Sequence, residues 1–244
     1  MAFRIILSIV AAWCVLFAIT GEEIIERVDD DRTFNSMEYE ATMTIALGSQ
    51  VREKSFRGYA EGEGKAYMEF TAPARDRGTR FLKLEDEMWM YIPAVEKPTK
   101  IAGHMLRQSY MGSDFSYDDF TENERLKDLY AIELIGTDTI EDKECYVLEL
   151  VAKVEEVTYY KRKLWITVND YIPVKSELYA KSGKLLKEFM VLRTEQVGSY
   201  NFSVHIKMVN KLRKDTYTEM EFHTIKLDVK IPAGVFSKAY LERK

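Results

Sequence analysis

From residue 39 to residue 229 the chain keeps returning to a period of two, and this limits its fold more than any other feature. Apolar and polar side chains alternate over residues 39–47, 65–70, 81–85, 88–92, 146–151, 159–168, 174–179, 185–191, 204–209, 216–222 and 225–229. Such alternation sends successive side chains to opposite faces of a strand. Asn169-Asp170, Lys181-Ser182-Gly183-Lys184 and Arg213-Lys214-Asp215 supply turn chemistry between several of these runs. About ten hairpin-connected strands form a large antiparallel sheet that has to curl or close. The concave side of a curled sheet must be filled by side chains, covered by helices or left as a cavity.

Three stretches depart from the two-residue period. Residues 22–34 place Ile24, Ile25, Val28 and Phe34 among acids and arginines, the spacing of an amphipathic helix with Glu22 and Glu23 at its N-terminal end. Residues 121–130 read as a short helix capped by Thr121 or Asp119, and residues 236–241 as a helical turn. The expected class is α+β: a large curved antiparallel sheet with helices placed against one side. No Pro/Gly/Ser-rich linker or internal repeat interrupts residues 22–244, so a single domain is expected there.

The first residues carry an address. Arg4 is followed by an apolar run from Ile5 to Thr20, and the composition turns acidic at Glu22-Glu23. A basic start, an apolar stretch and a small residue at the boundary are the parts of a cleavable signal peptide, here residues 1–21. The run is shorter than the ~20 residues of a membrane-spanning helix, which counts against the alternative of an uncleaved anchor. Cys14 lies inside the run behind Trp13, so a lipoprotein form anchored through it is the lesser alternative to a free periplasmic protein. Removal of residues 1–21 takes one basic residue, Arg4, and moves the net charge from −5 to −6. A mildly acidic chain lacks the clustered Lys and Arg that nucleic acid requires, and it also speaks against simple electrostatic attachment to an anionic membrane.

The long connection that follows Pro93 is too long for a hairpin and is rich in large apolar side chains. Together with the preceding strands it presents Phe81, Trp89, Tyr91, Met105, Leu106, Met111, Phe115 and Tyr117, the candidate lining of an apolar cavity. Met adapts its shape to variable apolar surfaces. The other reading is that these side chains cap the core.

Catalytic signatures are lacking. His104, His205 and His223 are scattered without a zinc-type spacing. Asp114, Asp118 and Asp119 do not follow a calcium loop, and loop or cap roles suit them better. Gly112-Ser113-Asp114 is not a nucleophile elbow. Cys145 sits in a strand pattern as a small core residue. The basic run at residues 159–163 reads as a strand edge that discourages further pairing. Neither a catalytic centre, a cofactor nor a metal is expected.

Three motifs stand in order along the chain: Asp76-Arg77-Gly78-Thr79-Arg80-Phe81-Leu82, Met88-Trp89-Met90-Tyr91-Ile92-Pro93 and Gly112-Ser113-Asp114-Phe115-Ser116-Tyr117-Asp118-Asp119. Tyr146-Val147-Leu148-Glu149-Leu150, Tyr171-Ile172-Pro173-Val174-Lys175 and Ser182-Gly183-Lys184-Leu185-Leu186-Lys187 add to them. Together they resemble the outer-membrane lipoprotein-sorting family, which includes the LolA and LolB carriers of lipoproteins. The resemblance implies an unclosed β-barrel whose helices form a lid over a hydrophobic cavity. It implies a non-enzymatic periplasmic carrier or chaperone for the acyl chains of lipoproteins or for lipids, moving them towards the outer membrane. An inner-membrane transporter as donor and an outer-membrane acceptor would be its partners. Arg57 and Arg80 are the candidates for the carriers' cavity arginine, and the cargo of this divergent branch is open. The alternative is an envelope interaction or stress-sensing module built on the same fold without lipid carriage.

Overall fold

The computed structural model describes residues 19–30, 35–121 and 125–243. The expected signal peptide falls almost entirely on residues 1–18, outside the described residues, as do Cys14 and Phe34. In chain order the elements are α1 (Gly21–Asp30), β1 (Ser36–Leu47), β2 (Gln50–Glu61), β3 (Lys65–Ala72), β4 (Arg80–Leu84), β5 (Glu87–Tyr91) and β6 (Thr99–Ile101). After an irregular segment come α2 (Leu126–Leu129), β7 (Tyr130–Ile140), β8 (Lys143–Ala152), β9 (Lys161–Thr167), β10 (Pro173–Tyr179), β11 (Leu185–Val197), β12 (Tyr200–Asn210), β13 (Thr216–Leu227) and α3 (Lys238–Leu241).

The 13 strands of the described residues form one antiparallel sheet, in the order β6-β5-β4-β3-β2-β1-β13-β12-β11-β10-β9-β8-β7. The strand between β1 and β3 escapes the sequence pattern for a physical reason. Phe56 in β2 is flanked on its own face by Lys54 and Gly58, which read as polar or empty positions. Lys54 is buried and pairs with Asp76. Gly58 leaves room for Tyr39, whose hydroxyl oxygen would lie 2.4 Å from a Cβ at that position. The runs at residues 216–222 and 225–229 belong to a single strand, β13, whose alternation slips at a bulge opposite Glu40 and Ala41.

The sheet has two chemically different faces. Met43, Ile45, Phe56, Phe70, Phe81, Met88, Met208 and Met220 point to one side and join one buried cluster. On the same side, Leu148, Leu150, Leu164 and Ile166 meet Ile24, Ile25 and Val28 of α1. That side is concave. Tyr117 packs on Phe81 of β4, with ring centroids 6.0 Å apart, and Asp119 two residues later reaches Lys187 of β11 at 2.7 Å. In a flat sheet β4 and β11, six strands apart, would be separated by roughly 29 Å, so the sheet has to wrap round for both contacts to form. The edge strands β6 and β7 do not pair, and the barrel stays open.

Helix α1 begins with a reciprocal cap. Thr20 Oγ1 accepts the Glu23 N–H at 3.2 Å, and Glu23 Oε2 accepts the Thr20 N–H at 2.8 Å. Gly21 packs so tightly on β7 that a Cβ there would lie 2.9 Å from Ile132 Cγ2. The expected boundary after residue 21 therefore runs through the first turn of a folded helix. On the convex side, Val235 and Leu241 of the C-terminal segment cover Tyr67, Leu82 and Tyr91. Arg80 holds that segment by donating to the Leu241 carbonyl at 2.7 Å.

Candidate functional site

The concave wall is unusually rich in methionine. Of the 11 methionines in the chain, Met43, Met68, Met88, Met90, Met105, Met111, Met208 and Met220 belong to or pack on the one inner cluster. Alternation places the strand methionines there: Met43 faces Met220 across β1 and β13, and Met88 and Met90 occupy alternate positions of β5, while Met105 and Met111 come from the connection after β6.

Residues 102–121 cross this wall as a strap. It contains 3-10 turns at Gly103–Met105, Tyr110–Gly112 and Asp118–Phe120 instead of a regular helix. Positive φ at Gly103, Met111 and Gly112 breaks any longer helix. The strap's Tyr110, Phe115 and Tyr117 are buried and fill the space between it and the wall. Tyr110 lies 5.0 Å from the Phe81 ring and 4.8 Å from that of Phe120.

Two carboxylates fasten the strap to the sheet. Asp114 is 1% exposed. It accepts from Arg213 at 2.9 Å, Thr216 at 3.0 Å and Thr218 at 3.0 Å, while its own N–H donates to Thr218 Oγ1 at 2.9 Å. Thr216 and Thr218 stand opposite Leu47 and Ile45, so β13 offers two hydroxyls in an otherwise apolar face. A carboxylate this deep is tolerated only when paired and fully hydrogen-bonded, a condition this arrangement meets.

Asp119 is the second fastener. It accepts from Lys187 at 2.7 Å, from the Ser116 N–H at 2.7 Å and from the Tyr159 hydroxyl at 2.6 Å. Burial, reinforced by the Asp119 charge, pushes the Tyr159 phenol well up, so it stays protonated and donates. The buried Lys54–Asp76 pair ties the connection after β3 to the same end of the wall.

The structure brings six of the eight expected cavity residues together. Phe81, Phe115 and Tyr117 are buried in the inner cluster, and Met105, Leu106 and Met111 pack against it. Trp89 and Tyr91 lie on the opposite face and correct that expectation. Leu82 pairs with Trp89 and Arg80 with Tyr91, whereas Phe81 pairs with Met90, so the pleat turns the two aromatics outward. There Trp89 packs under the C-terminal segment, with Lys238 Nζ 3.5 Å from its ring centroid. The alternation in Met88-Trp89-Met90-Tyr91 carried this information, with the methionines as the inward pair.

Arg57 and Arg80 also point outward, each 3.1 Å from Glu69. Burial opposes the Glu69 charge, but the hydrogen bonds from Arg57 and Arg80 outweigh it and hold the carboxyl below its ordinary range. Lys187, Arg213, Thr216 and Thr218 were not foreseen as strap partners. The strands of Lys187, Thr216 and Thr218 and the turn of Arg213 were legible, but nothing local in the sequence paired them with residues about 70 to 100 positions away.

Two hollows lie away from the strap. One, of about 350 Å³, sits beside Val154, Tyr160, Lys181 and Leu186. The other, of about 300 Å³, is on the convex face among Thr42, Glu53, His205, Glu219 and His223. His205 contacts Glu219 at 3.0 Å, and His223 contacts Thr42 at 2.9 Å. Among the described residues, no group of three or more His, Cys, Asp or Glu is arranged to hold a metal ion. Cys145 is fully buried, and that burial raises its thiol. It is a core residue.

Comparison with known proteins places this architecture. The family model that matches, over residues 62–243, is described as "Uncharacterized protein". No curated protein matches the sequence. Among solved structures, a DUF1329 family protein from Desulfovibrio piger superposes with a TM-score of 0.83 at 25% identity, covering 91% of this chain and 97% of that one. A putative outer membrane lipoprotein-sorting protein domain from Vibrio parahaemolyticus gives a TM-score of 0.83 at 23% identity, with 91% and 98% covered. A LolA superfamily protein from Nitrosomonas europaea gives 0.74 at 23% identity, with 91% and 100% covered. The unclosed, curved antiparallel sheet of the LolA-like fold that the motifs implied is observed, with a strap of short turns where a helical lid was expected.

Proposed function

We propose that this chain, which belongs to the uncharacterized family matched over residues 62–243, is a periplasmic carrier that shelters acyl chains of lipoproteins or lipids against its concave wall. The observation that supports this most is the methionine-rich wall covered by a strap held at discrete polar points. Continuous helix packing would make a permanent core. A strap of short turns fastened at Asp114 and Asp119 is instead a cover that can lift and close.

The magnitudes are compatible with displacement. Burying apolar chain contributes about 0.8 kcal/mol per methylene, so a dozen methylenes supply roughly 10 kcal/mol. Separating a buried ion pair costs about 3 kcal/mol, so opening both fasteners costs less than a chain of that length returns. Tyr110, Phe115 and Tyr117 would then repack on the chain in place of the wall. Methionine lets the wall accept chains of different length and unsaturation.

The names of the Vibrio parahaemolyticus and Nitrosomonas europaea proteins agree with this reading. Export through the apolar segment that precedes Thr20 would deliver the protein to the periplasm. An inner-membrane donor and an outer-membrane acceptor would complete the route. No enzymatic step is proposed. Native mass spectrometry of the exported protein after gentle extraction tests the proposal. A co-purifying lipid or acylated peptide is expected, and its absence together with failure to bind a fluorescent fatty acid would refute carriage.

A second reading has one observation in its favour: the strap's aromatic side chains already fill the space beneath it. On that reading the protein is an envelope interaction module with a permanent core. The two readings part on whether the strap amides gain or lose exchange protection when an acyl probe is added.

A further inference from the structure

Each strand runs antiparallel to its neighbour, so successive hairpin connections alternate between the two ends of the sheet. One rim collects residues 48–49, 73–79, 92–98, 153–160, 180–184 and 211–215, and the other collects 62–64, 85–86, 141–142, 168–172 and 198–199. The connections of the first rim carry nine Lys or Arg against five Asp or Glu. Those of the second carry six acids and no Lys or Arg. The net charge of −5 therefore conceals hairpin connections that are net basic on one rim and acidic on the other.

The basic rim is also where exposed apolar side chains gather. Of the six large hydrophobic residues that stand exposed among the described residues, Val51, Val95, Val154 and Leu212 are on this rim, each at or beside a different connection. Arg77, Lys97, Lys153, Lys181, Lys184 and Lys214 are exposed there and form no ion pair among the described residues.

We propose that this rim docks the protein on an anionic phospholipid bilayer, with its cations against the headgroups and Val51, Val95, Val154 and Leu212 at the acyl boundary. A stable protein interface centres on a buried core that excludes water, which apolar tips on separate connections do not make by themselves. Single apolar tips on separate loops surrounded by Lys and Arg suit a flat, fluid surface that each tip can enter by itself. Juxtamembrane cations gain from the negative surface potential of anionic lipid, and that gain depends on local charge and not on the charge of the whole chain. The overall acidity of the sequence argued against such attachment only because it averages the two ends. Arg213 and Tyr159, which hold the strap, lie in connections of this same rim, so docking would bring both fasteners to the lipid surface. The proposal stands whatever the concave wall holds.

Flotation of the exported protein with vesicles tests it, comparing phosphatidylcholine alone with phosphatidylcholine containing about 30% phosphatidylglycerol. The protein should float with the anionic vesicles and be released near 0.5 M salt, where the screening length is only about 4 Å. The triple variant Lys181→Glu, Lys184→Glu, Lys214→Glu should bind at least about tenfold more weakly while keeping the wild-type circular dichroism spectrum. The pair Val154→Ser, Leu212→Ser should also weaken binding but leave its salt dependence in place. Flotation that ignores lipid charge, as insertion of the apolar N-terminal segment would produce, overturns the proposal. So does a triple variant that binds like wild type, or capture of an acidic protein with no vesicle binding.

Discussion

Asp119 and Lys187 are 68 residues apart in the chain, yet they meet at 2.7 Å with 9% and 11% of their side chains exposed. Their contact joins the irregular strap to β11 and fixes the register in which Phe115 and Tyr117 face the wall. Because it is buried, its loss has a large and local consequence.

Lys187→Met leaves the Asp119 carboxylate buried with only the Tyr159 hydroxyl and Ser116 as donors. Unfolding in urea should show a loss of about 3 kcal/mol. Hydrogen exchange should accelerate first at residues 116–120. Unchanged protection there would show that the pair does not hold the strap.

The two faces of β5 predict opposite behaviour for neighbouring residues. Trp89→Ala removes packing beneath the C-terminal segment and should cost about 2 kcal/mol of stability, with unchanged affinity for a fluorescent fatty acid. Met105→Glu puts a charge at the half-buried underside of the strap and should weaken probe binding at least about tenfold, the effect of losing roughly 1.4 kcal/mol. Reversal of this order in a probe titration would place the binding face on the wrong side.

Glu69 supplies a pH dependence. Its carboxyl titrates below the ordinary 4.5, because hydrogen bonds from Arg57 and Arg80 overcome the cost of burial. A depressed native value means that its stabilising contribution is complete above about pH 4.5 and is lost as the pH falls through the lower native value. Glu69→Gln should therefore be less stable than wild type by about 2 kcal/mol at pH 7, and the gap should close in stronger acid. A gap that persists unchanged at pH 2–3 would contradict the assignment.

The cap at Thr20 constrains export. Thr20→Ala should destabilise the protein by about 1 kcal/mol through loss of the hydroxyl that accepts the Glu23 N–H. N-terminal sequencing of the exported protein should find Thr20 retained. A mature chain that starts at Glu22 with undiminished stability would show that the cap is dispensable.

Much of the sheet was legible in the sequence because period two is a local property. Strands β8 to β12 lie where alternation put them, and Cys145 is the core residue its surroundings suggested. What stayed hidden depended on distant partners. Lys54 and Gly58 disguised β2, since their roles depend on Asp76 and Tyr39. Asp114 and Asp119 read as loop or cap residues, and only the closed structure shows them as fasteners reaching β13 and β11. Trp89 differs in kind: its hydrophobicity suits a cavity wall, but its parity in β5 turns it to the convex face.

The central claim concerns what the methionine wall receives, and methionine itself is the reporter. In the exported protein freed of lipid and labelled with ¹³C at the Met methyl groups, titration with a palmitoyl chain should shift Met43, Met68, Met88, Met90, Met105, Met111, Met208 and Met220. Met190 is the control: it pairs with Lys175 and Lys207 and is outside the inner cluster, and its signal should stay in place. Saturable movement of the inner set alone is the predicted result, and an unmoved inner set, or a shift confined to Met190, would contradict carriage.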